Sequence, residues 1–85
     1  MASKYQTKII KRFEADGYYV INLIKTNKNG IPDLLCLKDG EKPLFIECKE
    51  VWDTVKPLQE FRIEELKKYG VDAIVLKDNK KWKIF

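Results

Sequence analysis

The chain has 85 residues, of which 45% are hydrophobic, 12% aromatic and 35% charged, and this balance predicts one folded domain over 1–85 rather than a disordered segment. It has no apolar run of about 18 residues and no signal-peptide pattern, so we expect a cytoplasmic protein without a membrane partner. The net charge of +4 favours a polyanionic partner, although ordinary surface lysines would give the same excess.

A helix is predicted over 3–16, with Gly17 as its stop signal. Its apolar residues recur at helical spacing and are Tyr5, Ile9, Ile10 and Phe13. Gln6 falls within this apolar stripe, so its amide is expected to face a polar group inside the protein. Glu14 falls at the edge of the stripe and is expected to be solvated.

The segment 18–25 is rich in β-branched and aromatic residues and predicts the first strand. A polar loop, TNKN, follows at 26–29. Lys25, Lys28 and Asn29 are candidate contacts to the phosphates of a polyanionic partner. The loop could equally be a plain connection, since its length is common.

The run Leu34–Leu37 is apolar throughout and too short for a helix, which predicts a buried strand. Asp33 precedes this strand. Pro32 restricts Ile31 to an extended conformation, and Gly30 permits a backbone path that a side chain would block. These restrictions should hold the Asp33 carboxylate firmly at the start of the strand.

Asp39-Gly40 predicts a two-residue hairpin turn, so a strand over 44–51 should return antiparallel to the previous one. Its side chains alternate between two faces: Leu44, Ile46 and Cys48 lie on one, and Phe45, Glu47 and Lys49 on the other. In this hairpin Asp33 and Glu47 should lie near the same end of neighbouring strands.

Two carboxylates and an ammonium gathered on a buried sheet predict a cation site, because unpaired buried charge is unfavourable. Oxygen ligands from Asp33, Glu47 and the backbone carbonyl of Cys48 suit Mg²⁺, with Mn²⁺ as a substitute. Lys49 would then steady the attacking water or the charge that builds on a phosphoryl oxygen. With two cysteines and no histidine, a zinc site is not expected, and the thiols should be reduced and buried.

A second helix is predicted from Pro57 to Gly70, with an inner stripe formed by Leu58, Phe61, Leu66 and Tyr69. Gln59 falls within the arc of this stripe and near the strand end that carries Glu47, so it is a candidate for orienting water or phosphate. Arg62 and Glu65 could form an ion pair. Before the helix, Trp52 could stack on an unpaired base or a partner subunit, although a core position is the commoner outcome.

Strands are predicted over 71–77 and 81–85, separated by a turn at 78–80. The order of elements is therefore helix, three strands, helix and two strands. A basic last strand suggests a sheet edge, where lysines discourage edge-to-edge association.

Pro32-Asp33 followed by Glu47-Cys48-Lys49 resembles the signature of the PD-(D/E)xK nuclease superfamily. The chain is also similar to the VRR-Nuc family, in its small stand-alone phage-type form related to Holliday-junction resolvases. This resemblance is carried by GIPDLL at 30–35, PLQ at 57–59 and YG at 69–70, and it extends from about residue 4 to about residue 75. The bare superfamily signature is short, and the flanking segments make the match specific.

The resemblance implies an α/β fold with a restriction-endonuclease-like αβββαβ core, in which two helices flank a mixed central sheet, with an extra C-terminal strand. It implies a Mg²⁺-dependent endodeoxyribonuclease that acts as a homodimer on branched DNA such as Holliday junctions. Asp33, Glu47 and Lys49 would be the central catalytic residues, assisted by Gln59 and Gln6. Relatives often carry a glutamate where Gln6 stands, and an amide is a weaker metal ligand.

Two alternatives remain open on the sequence. The chain could be a DNA-binding module that has the nuclease fold but little or no turnover, which the amide at Gln6 would favour. It could also be a structural subunit whose acidic and basic residues form an ordinary ion pair.

Overall fold

The computed structural model describes residues 4–78. Its elements are α1 (Lys4–Ala15), β1 (Tyr19–Asn22), β2 (Leu34–Leu37), β3 (Leu44–Lys49), α2 (Pro57–Lys67) and β4 (Asp72–Lys77). This order confirms the predicted αβββαβ core. The strand predicted over 81–85 lies outside the described residues.

The described strands form one mixed sheet in the order β1-β2-β3-β4. The first three strands are antiparallel, and β4 runs parallel to β3. A parallel neighbour requires a crossover connection, and α2 supplies it between β3 and β4. The predicted α/β class with a mixed sheet and two flanking helices is therefore confirmed. No helix within 4–78 has the length and apolarity that crossing a membrane would need.

The main hydrophobic core lies between α1 and one face of the sheet. Its buried side chains are Tyr5, Ile9, Phe13, Leu34, Cys36, Leu44, Ile46 and Leu76. Three of these belong to the stripe predicted for the first helix, and Ile10 packs against the cluster from its edge. The helical spacing of apolar residues was therefore a correct guide to the buried face of α1.

The end of α1 is set by Gly17, whose φ of +92° is easily adopted by glycine alone. The Gly17 N–H donates to the Glu14 carbonyl at 3.0 Å, and the Tyr18 N–H donates to the Phe13 carbonyl at 3.0 Å. This is the Schellman arrangement, and it is accompanied by an edge-to-face contact of the Phe13 and Tyr18 rings at 5.4 Å. Glu14 is exposed, as predicted.

α2 covers the opposite face of the sheet, but not with the predicted stripe. Within 57–67, all of which is described, only Ile63 is buried. Leu58, Phe61 and Tyr69 are 44%, 56% and 81% exposed, so placing them inside was wrong. The helix also ends at Lys67, three positions before Gly70. The reason is that polar residues of α2 face the polar side chains of β3 beneath them.

The predicted hairpin between β2 and β3 is antiparallel, but its turn is not a two-residue one. Residues 38–43 connect the strands, and the Glu41 N–H donates to the Lys38 carbonyl at 3.0 Å. A type I′ turn needs positive φ at both central residues, yet among residues 4–78 only glycines have positive φ, here Gly40 at +80°. β1 and β3 are also shorter than the segments 18–25 and 44–51 predicted for them.

Candidate active site

Asp33 and Glu47 lie opposite each other at one end of the β2–β3 pair. Leu34 pairs with Ile46 in the antiparallel ladder. One residue further along this register, Asp33 lies opposite Glu47. The Asp33 carbonyl accepts the Leu23 N–H at 2.8 Å, and its carboxylate accepts the Cys48 N–H at 2.8 Å. Both the backbone and the side chain of Asp33 are therefore fixed, as the preceding proline predicted.

Glu47 is only 3% exposed although it carries a carboxyl group. Burial and, next, the neighbouring charge of Asp33 raise the pKa of Glu47 to about 7, although Lys49 acts in the opposite direction. A carboxyl group with this environment releases its proton easily only when extra positive charge is close. Its position therefore fits a cation-binding group better than an ordinary surface ion pair.

Lys49 is 6% exposed and lies on the same face of β3 as Glu47. Its Nζ is 3.6 Å from Glu47 Oε2. The alternation of side chains along the strand predicted this shared face, and the burial of both residues supports it. A buried ammonium beside the Glu47 carboxylate is a compact hydrogen-bond donor, and it could donate to a phosphate oxygen or a water molecule.

Gln59 extends from the first turn of α2 to Glu47. Its Nε2 donates to Glu47 Oε2 at 3.3 Å, while its Oε1 accepts the Lys56 N–H at 2.9 Å. The second bond is one half of a capping box, in which a glutamine at the third helical position satisfies the backbone at the helix start. The helix cap thus leaves the amide NH₂ directed at Glu47. The sequence analysis placed Gln59 near Glu47 but missed its capping role.

Gln6 of α1 donates from Nε2 to Asn22 Oδ1 at 3.0 Å. Asn22 is the last residue of β1 and pairs with Leu34, next to Asp33. The prediction that the Gln6 amide faces a polar group inside the protein is confirmed. The sequence analysis missed Asn22. The feature that could have indicated it is a polar residue at the end of a half-buried strand.

The donor atoms near Asp33 fit a hard divalent cation. Asp33 and Glu47 offer carboxylate oxygens, and the Cys48 carbonyl belongs to the residue whose N–H already holds Asp33. Between residues 4 and 78, no group of three or more His, Cys, Asp or Glu side chains is arranged to hold a metal ion. Backbone carbonyl and water ligands would therefore have to complete the coordination, which Mg²⁺ readily accepts.

Cys36 and Cys48 are free thiols, and Cys48 is only half-buried.

The predicted DNA-contacting residues lie on the surface. Lys25, Lys28 and Asn29 are exposed in the loop between β1 and β2. Trp52 is 76% exposed, so the expectation that it is a core residue was wrong. Trp52 therefore stays a candidate for stacking on a base, because it is exposed and lies three residues beyond the end of the strand that carries Glu47 and Lys49.

The predicted ion pair on α2 is present, with Arg62 Nη1 at 2.9 Å from Glu65 Oε1. The sequence did not reveal that Arg62 Nε also donates to the Asn29 carbonyl at 2.8 Å. The two residues are far apart along the chain, so no local pattern could have indicated this contact.

Comparison with known proteins agrees with this geometry. The model of the VRR-NUC domain family matches residues 2–79. A solved structure titled "VRR_NUC domain" has a TM-score of 0.73 and 30% identity, covering 85% of this chain and 78% of that one. A second, titled "VRR_NUC domain protein", has a TM-score of 0.54 and 20% identity over 91% and 80% of the two chains, which shows the fold alone. No curated protein gives a significant match. The extent of the family match shows that the chain belongs to the VRR-Nuc family of nuclease domains.

Proposed function

We propose that this chain is a Mg²⁺-dependent endonuclease that hydrolyses phosphodiester bonds in branched DNA, such as Holliday junctions, as a homodimer. The observation that carries the proposal is the buried Glu47 carboxyl beside Asp33, with Lys49 on the same face at 3.6 Å. Membership of a nuclease family implies a nucleic-acid substrate, and the net charge of +4 suits a polyanion.

Asp33, Glu47 and the Cys48 carbonyl would hold the cation. When bound, Mg²⁺ would supply positive charge that polarises the scissile phosphate and makes water more acidic. That charge would also keep Glu47 ionised at neutral pH, against the burial that raises its pKa to about 7.

The remaining groups position the reactants. The Cys48 N–H and the Gln59 amide hold the carboxylates of Asp33 and Glu47 by one hydrogen bond each. Lys49 would orient the attacking water or donate to a phosphoryl oxygen as negative charge develops there. The Gln6–Asn22 pair lies beside the strand end that carries Asp33, where it could hydrogen-bond a water molecule.

The homodimer and the branched substrate are proposed from similarity to the resolvases. Two sites related by a two-fold axis would suit two related strands of a junction. A second copy would also cover some of the exposed apolar side chains, since Val51, Trp52 and Phe61 are each more than half exposed.

The test is cleavage of a panel of junction, flap, nicked and linear DNAs with Mg²⁺, Mn²⁺ or EDTA. We expect metal-dependent cutting with a preference for the junction. Asp33→Asn, Glu47→Gln and Lys49→Met should each lower the rate at least about a thousandfold with the fold retained. Glu60→Gln, on the exposed side of α2, is the matched control and should leave the rate unchanged. Full activity of any of the three variants would remove that residue from the mechanism.

A DNA-binding module with little turnover is the second candidate. It is favoured by the amide at Gln6, which donates to Asn22 where relatives often carry an acid. Gln6→Glu separates the two possibilities. A gain in Mg²⁺-dependent cleavage from a nearly inactive wild type would support the binding module, whereas an active wild type would exclude it.

A further inference from the structure

The loop between β1 and β2 is attached to α2 by two contacts. Arg62 Nε donates to the Asn29 carbonyl at 2.8 Å. The neighbouring Gly30 lies so close to α2 that a Cβ added to it would be 2.8 Å from Leu58 Cγ. The loop therefore rests directly on the helix, without room for a side chain between them.

The guanidinium of Arg62 is held by three partners. In addition to Asn29, it contacts Glu65 Oε1 at 2.9 Å and lies over the Phe61 ring at 5.4 Å. Its side chain is 18% exposed. The planar guanidinium group can donate to two acceptors in fixed directions, and the single ammonium of lysine does this less well. Arg62 is thus a rigid support and not a solvated surface charge.

The loop that Arg62 supports is basic and lies beside the candidate active site. Its base is closed by the bond from the Leu23 N–H to the Asp33 carbonyl at 2.8 Å. Near its tip, the Thr26 hydroxyl donates to the Lys28 carbonyl at 2.7 Å, which makes the turn compact. Lys25 and Lys28 are exposed.

The same helix reaches the candidate site one turn earlier. Gln59 donates to Glu47, and Arg62 follows three residues later on a neighbouring part of the helix surface. α2 therefore ties the basic loop and the buried carboxylate to one rigid element.

We propose that Arg62 is a positioning residue that holds the 23–30 loop so that Lys25 and Lys28 meet the DNA backbone beside the scissile phosphate. The inference rests on the proposed function. Arg62 acts through the loop and touches neither the cation nor the reacting atoms. Its loss should weaken DNA binding and leave the chemical step unchanged.

The first test measures the Arg62→Gln variant. We expect KM with Mg²⁺ and Kd in EDTA to rise about tenfold, as for the loss of one hydrogen bond from a charged donor, with kcat within about twofold of wild type. The slope of log Kd against log salt concentration should fall by about one to two, the change that one or two lost phosphate contacts produce.

Lys67→Gln is the matched control, since Lys67 lies on the same helix and pairs with Glu64 at 3.3 Å three residues away. It removes the same charge and an ion pair of the same spacing that is more exposed. We expect less than a twofold change in Kd, and an effect equal to that of Arg62→Gln would overturn the inference. Circular dichroism establishes that both variants are folded at the assay temperature.

A double-mutant cycle separates action through the loop from direct action. In a Lys25→Gln/Lys28→Gln background, Arg62→Gln should change Kd less than twofold, because the contacts it supports are already gone. A full tenfold rise in Kd on adding Arg62→Gln in that background would overturn the inference. A fall in kcat at constant KM would overturn it as well. Wild type that binds but does not cleave would refute only the nuclease proposal, whereas absence of DNA binding would refute both.

Discussion

The two helices of this domain relate to the sheet in opposite ways. α1 buries an apolar stripe that includes Ile9 and Phe13, both 0% exposed. α2 directs the polar side chains of Gln59 and Arg62 inward and leaves Phe61 56% exposed. One face of the sheet thus meets a hydrophobic layer, whereas the other, which also buries Ile63 and Ala73, contains the polar residues of the candidate active site.

The comparison shows where stability and function are separated in a small domain. Burying Glu47 and Lys49 is unfavourable, because both lose hydration and their attraction only partly offsets the loss. The α1 face, which contains no charged core residue among those described, supplies the compensating apolar burial. Mutations on the α1 face should therefore mainly lower stability, whereas mutations on the α2 face should mainly lower activity.

Phe13→Ala should have the largest effect on stability. It removes a fully buried ring and should lower the free energy of unfolding by about 3–5 kcal/mol, whereas Phe61→Ala on the exposed side of α2 should change it by less than about 1 kcal/mol. Urea unfolding followed by circular dichroism measures both. If Phe13→Ala does not fold, Phe13→Leu gives a smaller loss in the same direction. Equal effects of Phe13 and Phe61 would contradict the proposed difference between the faces.

Glu47 should make the metal-free protein less stable as the pH rises. Its pKa is about 7 in the folded chain against an ordinary 4.5, so the folded state holds more protons between these values. Stability should therefore fall across this window, by up to about 3 kcal/mol for this group. Glu47→Gln removes the titration, and its unfolding free energy in EDTA should change less between pH 5 and pH 8. Parallel pH profiles of the two proteins would show that Glu47 is not the cause.

Gln59→Met should affect both activity and stability moderately. It keeps the length of the side chain but loses the bonds to Glu47 and to the Lys56 N–H. We expect a tenfold to hundredfold fall in kcat, together with about 1 kcal/mol of lost stability from the helix cap. Cleavage rates and urea unfolding provide the two measurements, and Glu60→Gln is the control one residue along the helix. A loss of stability with a normal kcat would show that Gln59 acts only as a helix cap.

The smallest of the expected effects is the difference in stability between Gly30→Ala and its control, Gly40→Ala. The two glycines have nearly equal φ, +82° and +80°, but an added Cβ meets Leu58 at Gly30 and nothing within 4 Å at Gly40. Both variants bear the strain of a left-handed residue, about 1 kcal/mol. Gly30→Ala should lose about 1 kcal/mol more by displacing the loop from α2. Identical unfolding free energies would mean that the loop does not rest on the helix.

Much of the fold and the centre of the site followed from local pattern. The helical spacing of Tyr5, Ile9 and Phe13 predicted the face of α1, and the apolar run at 34–37 predicted β2. Strand alternation placed Glu47 and Lys49 together, and the antiparallel return of the chain placed Asp33 near Glu47. These inferences succeeded because side-chain periodicity is a property of the backbone itself.

The errors about burial share one cause. Trp52 and the apolar residues of α2 were placed inside because apolar side chains usually are, but burial depends on what lies opposite. β3 presents Glu47 and Lys49 to α2, so the helix meets them with Gln59. Hydropathy alone could not show that this part of the interface would be polar.

The sequence by itself determined the order of the elements, the core of α1 and the carboxylates of the candidate site, since each follows from spacing within one element or from the return of the chain between consecutive strands. Only the tertiary structure decided which face of α2 turns inward, that Gln59 both caps its helix and contacts Glu47, and that Arg62 supports the loop at Asn29. The contacts of Gln59 with Glu47 and of Arg62 with Asn29 join residues that are distant in the chain, and they form only when packing brings their elements together.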